Sequence, residues 1–408
     1  MLRLGVFLFA LLAAGTALVA RPGSDQASSR GGAAAGQLLL LYNSHGSVPR
    51  LAANAGRYSY VVLQPWDTAG LRAVKKRNPR AIVLAYQEAS AIAQAPGVNG
   101  ITASGVGFST ADRHPDWFLT DHSGNRITES GYSYLYMANI GNRGYQKAWA
   151  ANVSRLLRRH AWDGVLMDDV NTTAGYHTDP SRVAQYPNDA AYARATHSFL
   201  RYVRPRIHAT GKLEFANMGG WVEHPKTIRS WLHKLDGGLD EAFVKFDAAP
   251  GQGYRDRFKW SLELNQVRAT ERMGKRFLAV TRAQPYDEQA KLFGWASLLL
   301  ASGRRAGYMP ATGFGYDDIP PTVGASELNV GAPRGGMRSA GRVYYRRFSR
   351  ALVIVNPDSA SHGVRFNVPM TGSGLNAAAS ATMAGHSAMV LHRAHGSGRP
   401  PPQRPVSS

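Results

Sequence analysis

The sequence predicts an α/β protein: a (β/α)8 barrel of the TIM type, followed by a small C-terminal antiparallel β-sandwich-like domain. Three observations point there. Eight short apolar segments alternate with amphipathic helical segments over about 275 residues from Gln37, close to the ~250 residues typical of that barrel. The apolar segments carry no polar face, the pattern of parallel strands covered by helices on both sides. After about Gly336 the helical period stops, and short strands separated by turn residues take over.

The expected barrel strands are Gln37–Tyr42, Tyr60–Gln64, Ala81–Gln87, Gly164–Asp168, Leu213–Asn217, Gly238–Glu241, Phe277–Thr281 and Ala306–Met309. Helices are expected over Thr68–Lys76, Tyr145–His160, Asp189–His208, His224–Lys234, Tyr254–Met273 and Asp287–Ser302. In the second of these Trp149, Val153, Leu156 and Leu157 recur at helical spacing. A doubly wound open sheet would use the same elements. No G-x-G-x-x-G follows the first strand, however, where a dinucleotide fold needs it. Gly251-Gln-Gly253 and Gly313-Phe-Gly315 lack the strand–turn–helix setting and read as loops. Val343–Phe348, Ala351–Asn356, Val364–Val368, Ser380–Met383 and Ala388–His392 read as five further strands. A domain of about 55 residues buries little of itself, so it is expected to lean on the barrel.

Residues 1–20 place Arg3 before an apolar run from Leu4 to Val19, with Ala17 and Ala20 as candidate cleavage positions. That is the anatomy of a secretory signal peptide. The run falls short of the ~20 apolar residues of a spanning helix, so an uncleaved anchor is the weaker reading. Either way the segment is the expected membrane contact, and the protein is expected to be secreted or associated with the cell envelope. The layout is then a signal peptide (1–20), a Gly/Ala/Ser linker (21–36), the barrel (37–336), the β domain (337–393) and a disordered Pro/Ser tail (394–408).

Composition excludes several classes. With 44% hydrophobic and 18% charged residues, the chain is neither disordered nor a coiled coil. It has no cysteine, which removes disulfides, thiolate catalysis, iron–sulfur clusters and cysteine zinc sites together. The net charge of +21 is spread as short pairs such as Arg158-Arg159 and Arg346-Arg347. Without a dense basic stripe interleaved with aromatics, nucleic acid is not an expected partner; an anionic polymer or cell surface suits the charge better.

Reactive residues of such a barrel sit at the carboxyl ends of the strands. Trp162-Asp163-Gly164-Val165-Leu166-Met167-Asp168-Asp169 puts Asp163 before the fourth strand and two acids after it. Five residues at about 3.3 Å each separate Asp163 and Asp168 by the length of the barrel wall. Alternation directs Asp168 to the axis and leaves Asp169 as a hydrogen-bonding or charge-tuning neighbour. The sixth strand ends in Asp240-Glu241, and Glu241 can face the same cavity. A salt bridge to Lys245 or Arg282 would be its structural use. Paired carboxyls, one protonated and one ionised, are what glycosidic cleavage requires.

Other strand ends carry sugar-binding residue types: Gln64, Trp66 and Asp67 after the second, Tyr86 and Glu88 after the third, Asn217 and Trp221 after the fifth, and Arg282 after the seventh. Aromatic faces stack on pyranose C–H groups while amides and carboxylates serve the hydroxyls. One such aromatic is as readily core; the recurrence is the signal. Among thirteen histidines there is no H-E-x-x-H, and His177-x-Asp179 is too thin for a metal set. No G-x-S-x-G elbow or G-x-x-x-x-G-K-[ST] loop occurs. No metal and no cofactor are expected.

At these residues the sequence resembles the hypothetical glycosyl hydrolase family 15. The likeness covers about residues 37–393 and rests on His114-Pro115-Asp116-Trp117-Phe118-Leu119, Asp121-His-Ser-Gly124-Asn125, Asn139-Ile-Gly-Asn142-Arg-Gly-Tyr145, Trp162–Asp169, Asp240-Glu241-Ala-Phe243, and Arg347-Phe348 with Val353-Ile-Val-Asn356-Pro357. The resemblance implies a bacterial, exported barrel with a small C-terminal β domain, and it adds Asn139 to the candidate sugar-binding residues. Trp162–Asp168 is also similar to the F-D-G-V-F-L-D pattern of α-1,4-polygalactosaminidase barrels. By analogy with retaining α-glycosidase barrels, Asp168 is the nucleophile and Glu241 the acid/base. The expected function is hydrolysis of O-glycosidic bonds in an oligo- or polysaccharide, with a non-catalytic glycan-binding barrel as the alternative.

Overall fold

The structure, a computed structural model, describes residues 37–42, 48–95, 97–313, 316 and 319–394, and the backbone of 405–407. The segments read as signal peptide and linker lie outside the described residues.

Eight parallel strands close a barrel: β1 (Gln37–Tyr42), β2 (Tyr58–Leu63), β3 (Ile82–Glu88), β4 (Gly164–Asp168), β5 (Leu213–Asn217), β6 (Gly237–Asp240), β7 (Arg276–Arg282) and β8 (Ala306–Ala311). Each pairs with its sequence neighbours, and β8 pairs with β1. β1, β4 and β5 have the bounds the apolar runs predict; the others shift by one or two residues at one end or both. Seven helices cover the barrel: α1 (Val48–Asn54), α2 (Thr68–Arg77), α3 (Arg143–Arg159), α4 (Asp189–His208), α5 (Pro225–Leu232), α6 (Arg257–Arg272) and α7 (Glu288–Ala301). Caps fix several of their starts, as Asn142 does for α3 by accepting from the N–H groups of Gly144 and Tyr145.

Alternation along the strands separates two cores. Leu39, Leu41, Tyr60, Val62, Leu84, Leu166, Phe215, Leu239, Leu278 and Val280 fill the barrel interior, while Leu40, Val61, Val83, Val165, Ala216 and Ala279 pack under the helices. The interior is crowded: a Cβ on Gly237 would stand 2.2 Å from the Phe215 ring. Carried upward by two residues at a time, the interior face ends in Glu88, Asp168, Asn217, Glu241 and Arg282.

An excursion between β3 and α3, which periodicity does not anticipate, crosses the top of the barrel. Its strands Ala91–Ala93, Thr128–Glu129 and Tyr132–Met137 form a three-stranded antiparallel sheet. Ala91–Ala93 and Thr128–Glu129 are too short to show a period-two pattern, and Tyr132–Met137 carries no sustained apolar–polar alternation.

The C-terminal sheet comprises β9 (Pro333–Ala340), β10 (Val343–Phe348), β11 (Leu352–Asn356), β12 (His362–Gly372), β13 (Leu375–Met383) and β14 (Ser387–Arg393), in spatial order β9-β10-β11-β14-β12-β13. Within the segment read as a disordered Pro/Ser tail, Pro405–Ser407 runs as a strand beside β12. Val353, Val355 and Val390 face the barrel side, and Leu352, Ile354 and Leu391 face a separate cluster with Phe366, Met370 and Met383. α7 lies between barrel and sheet, which is why it is apolar all round rather than amphipathic. Among the described residues no helix is long and apolar enough to cross a membrane.

Candidate active site

β3 and β4 run in register with Glu88 opposite Asp168. The Tyr86 hydroxyl reaches both carboxyls, at 2.8 Å from Asp168 Oδ2 and 3.2 Å from Glu88 Oε2. One phenol has a single proton to donate. If it goes to Asp168, the contact with Glu88 requires a protonated Glu88 that donates to the phenol oxygen. Burial, with Asp169 and Asp168 nearby, pushes the Glu88 carboxyl well above its ordinary range, as this chain of donors demands.

Asn217 joins the fourth and sixth strands. Its Nδ2 donates to Asp168 Oδ1 at 2.8 Å and to Glu241 Oε2 at 3.0 Å. One amide nitrogen thus reaches both carboxyls and sits between them. Asp168 also accepts the backbone N–H of Asp169 at 2.9 Å. Glu241 Oε1 accepts from Arg282 Nη2 at 3.0 Å and from the Tyr316 hydroxyl at 2.5 Å.

The two acids keep different company. Burial pushes both upward, but on Asp168 the neighbours Asp169 and Glu241 add to it. On Glu241 the Arg282 guanidinium and three hydrogen bonds oppose it. The ion pair to Arg282, the structural use foreseen for Glu241, is therefore present; Lys245 instead donates to the carbonyls of Asp247 and Ala249.

Asp169 leaves the strand with φ +54° and turns its carboxylate away from the axis. Its Oδ1 lies 3.1 Å from His177 Nε2 and accepts from Asn171 Nδ2 at 3.3 Å. His177 Nδ1 is 3.7 Å from Glu129 Oε2. His177 is thus associated with Asp169 and Glu129, whereas Asp179 caps a turn at the surface by accepting from Ser181. Asp240, on the outer face, accepts from the Ala242 N–H at 3.0 Å; burial raises its carboxyl to about 7.

A cavity of about 290 Å3 opens beside the pair, lined by Asp169, Asn217, Trp221, Asp240 and Glu241 together with Tyr176, Glu223 and Arg255. Asp168 lies beneath it, fully buried. Trp221 offers an edge, since its indole N–H is bonded to the Leu239 carbonyl and its ring packs against Phe277. Tyr86, Glu88, Asn217 and Arg282 belong to the acid cluster, and Gln64 is buried at the exit of β2.

Two candidates have other partners, and a third lies off the cavity. Asp67 caps α2 by accepting from the Gly70 N–H. Asn139 ties loops together through the Asp116 carbonyl and the Tyr186 hydroxyl. Trp66, half-buried, is not among the residues lining the cavity. Asp163 is salt-bridged to Lys75 at 2.5 Å and accepts from the Val83 N–H, at the opposite end of β4 from the acid pair. Sequence reasoning missed Tyr316, Asn171 and Glu129, which reach the site from loops and from the excursion; no local signal marks them.

Among solved structures the fold is similar to Eubacterium rectale Amy13B, with a TM-score of 0.51 and 9% identity, covering 89% of this chain and 96% of that one. It is also similar to the glycoside hydrolase domain of PelA from Pseudomonas aeruginosa (TM-score 0.47, 13% identity, 70% of this chain and 99% of that one). A third is Aspergillus fumigatus Ega3 in complex with galactosamine (TM-score 0.42, 10% identity, 74% and 98%). Such identities speak for the fold alone. No curated protein matches the chain. Residues 75–352, more than half of the sequence, match the hypothetical glycosyl hydrolase family 15, and the chain belongs to that family of glycosidases.

Proposed function

We propose that this protein is an exported glycosidase that hydrolyses O-glycosidic bonds of an oligo- or polysaccharide through Asp168 and Glu241. Export rests on the signal-peptide pattern of residues 1–20. The observation that carries the chemistry is the Asn217 amide, within 3.0 Å of both carboxyls. A sugar in the adjoining cavity would set its anomeric carbon and glycosidic oxygen against these two carboxyls, with the Asn217 amide holding them in place. In the reading the resemblance implies, Glu241 protonates the leaving oxygen while Asp168 attacks. Water then releases the glycosyl group with Glu241 as base.

One observation favours the same chemistry with roles exchanged. Arg282, Tyr316 and Asn217 all donate to Glu241, which stabilises its ionised, nucleophilic form. Both readings predict that Asp168→Asn and Glu241→Gln each reduce turnover on a polysaccharide panel by about 100-fold or more, with circular dichroism and melting temperature preserved. Near-normal turnover in either variant removes that residue from the mechanism. Azide rescue of the alanine variants separates the roles: the variant lacking the nucleophile yields a glycosyl azide of inverted configuration, and the one lacking the acid/base a retained one.

A further inference from the structure

Behind the acid pair, Glu129, Asp169 and His177 converge from three separate segments: the excursion sheet, the end of β4 and the turn that follows it. One ligand-type atom from each lies within 4.8 Å of the other two. All three side chains are more than nine-tenths buried. Neither Glu129 oxygen accepts a hydrogen bond among the described residues, nor does Asp169 Oδ2. A carboxylate placed in the interior with no donor costs several kcal/mol, so an unmet positive partner is the feature to explain.

The surroundings hold these groups in place. Asp169 adopts φ +54°, a left-handed conformation costing about 1 kcal/mol in a residue with a Cβ, and it is this turn that aims its carboxylate at His177. The Asn171 amide nitrogen donates to Asp169 Oδ1 at 3.3 Å and stands 3.0 Å from His177 Nε2, while its carbonyl oxygen is fixed by the Gly219 N–H at 3.0 Å, a position from which an outer shell orients both groups. The Ser130 N–H donates to the His177 carbonyl at 2.7 Å, joining the Glu129 hairpin to the His177 turn. A single imidazolium would balance one of the two carboxylates. Glu88 and Asp168 adjoin Asp169 as closely and add no positive charge.

We propose that Glu129, Asp169 and His177 form a site for one divalent cation. One imidazole nitrogen and two carboxylate oxygens suit a borderline ion such as Zn²⁺ or Mn²⁺ better than Ca²⁺ or Mg²⁺, which prefer all-oxygen shells. Bonds of about 2.1 Å hold ligand atoms no more than about 4.2 Å apart, a spacing these clustered groups come close to. The ion fastens the excursion sheet to the end of β4 and sets a positive charge behind Asp168. The site stands apart from the hydrolytic reading and is tested without a sugar.

The experiment takes the full chain stripped with a chelator and titrates it calorimetrically with Zn²⁺ or Mn²⁺ alone, with Ca²⁺ as comparison, alongside thermal melts. Expected are one Zn²⁺ or Mn²⁺ per chain and a melting temperature raised by several degrees at saturation. Affinity falls at least tenfold in both Glu129→Gln and His177→Gln. The metal-free Glu129→Gln chain melts at or above the wild type, because an unpaired buried carboxylate is gone. Three results overturn the site: a cooperatively folded wild type that takes up neither ion, uptake unchanged in both variants, or preference for Ca²⁺. A metal-free Glu129→Gln that melts lower overturns it too, because Glu129 is then satisfied by an imidazolium.

Discussion

Asp240 and Glu241 are adjacent on the chain and opposite in surroundings. Glu241 faces the axis and has Arg282; Asp240 faces outward, and burial moves its carboxyl from the usual 3.8 to about 7. Below about pH 4 folded and unfolded chains both hold this proton. Between about 4 and 7 only the folded chain does, so unfolding releases it and stability falls as pH rises through that window. At about 1.4 kcal/mol per pH unit the interval amounts to about 4 kcal/mol, lost in full above about pH 7. Asp240→Asn carries no such proton. Urea midpoints measured from pH 4 to 8 are expected to show the wild type losing up to about 4 kcal/mol relative to the variant. A difference that stays flat across that range would place Asp240 in water-like surroundings.

At the scale of elements, α7 is the helix on which the fold turns. Gly294 lies at its centre, and a Cβ there would stand 2.3 Å from Thr281 Oγ1 and 2.5 Å from the Tyr308 hydroxyl oxygen. Both hydroxyls are committed, to the carbonyls of Phe243 and Lys291. Alanine gains about 1 kcal/mol of helix propensity, against about 1–3 kcal/mol of overpacking and about 1 kcal/mol for a displaced buried hydrogen bond. Gly294→Ala is therefore expected to destabilise by about 2 kcal/mol, visible as a lower urea midpoint; a higher one would mean that helix and strands separate freely. Elements like these were legible in the sequence because they are long or fully apolar. Gly164–Asp168 and Leu213–Asn217 are bounded apolar runs. α1 was not legible: it buries only Leu51, and one apolar residue has no period. The same division holds in the site. Asp168, Asn217, Glu241 and Arg282 follow from strand ends in a barrel. Glu129, His177 and Tyr316 arrive on connections whose path no periodicity sets.

For the whole molecule, barrel and C-terminal sheet share one core. Val353, Val355 and Val390 of the sheet belong to the same buried cluster as Trp295, Leu298 and Leu299 of α7. Arg346 donates to the Leu299 and Ser302 carbonyls at the end of that helix, where a cation also meets the helix dipole favourably. Trp260 of α6 packs on Tyr344 at 4.9 Å between ring centroids, and Tyr254 stacks on His386 at 4.7 Å. Exposing a buried Val, Leu or Phe side chain costs about 1.5–3 kcal/mol. Uncovering several at once on α7 exceeds much of the 5–15 kcal/mol that holds a typical domain folded. The two parts are thus expected to unfold together, in one calorimetric transition whose enthalpy matches the van't Hoff value. A chain ending at Ala332 is expected to be insoluble or to melt without cooperativity, since α7 would present its outer face to water. Two resolved transitions in the full chain, or a soluble shortened chain with a sharp melt, would show that the barrel closes its core unaided.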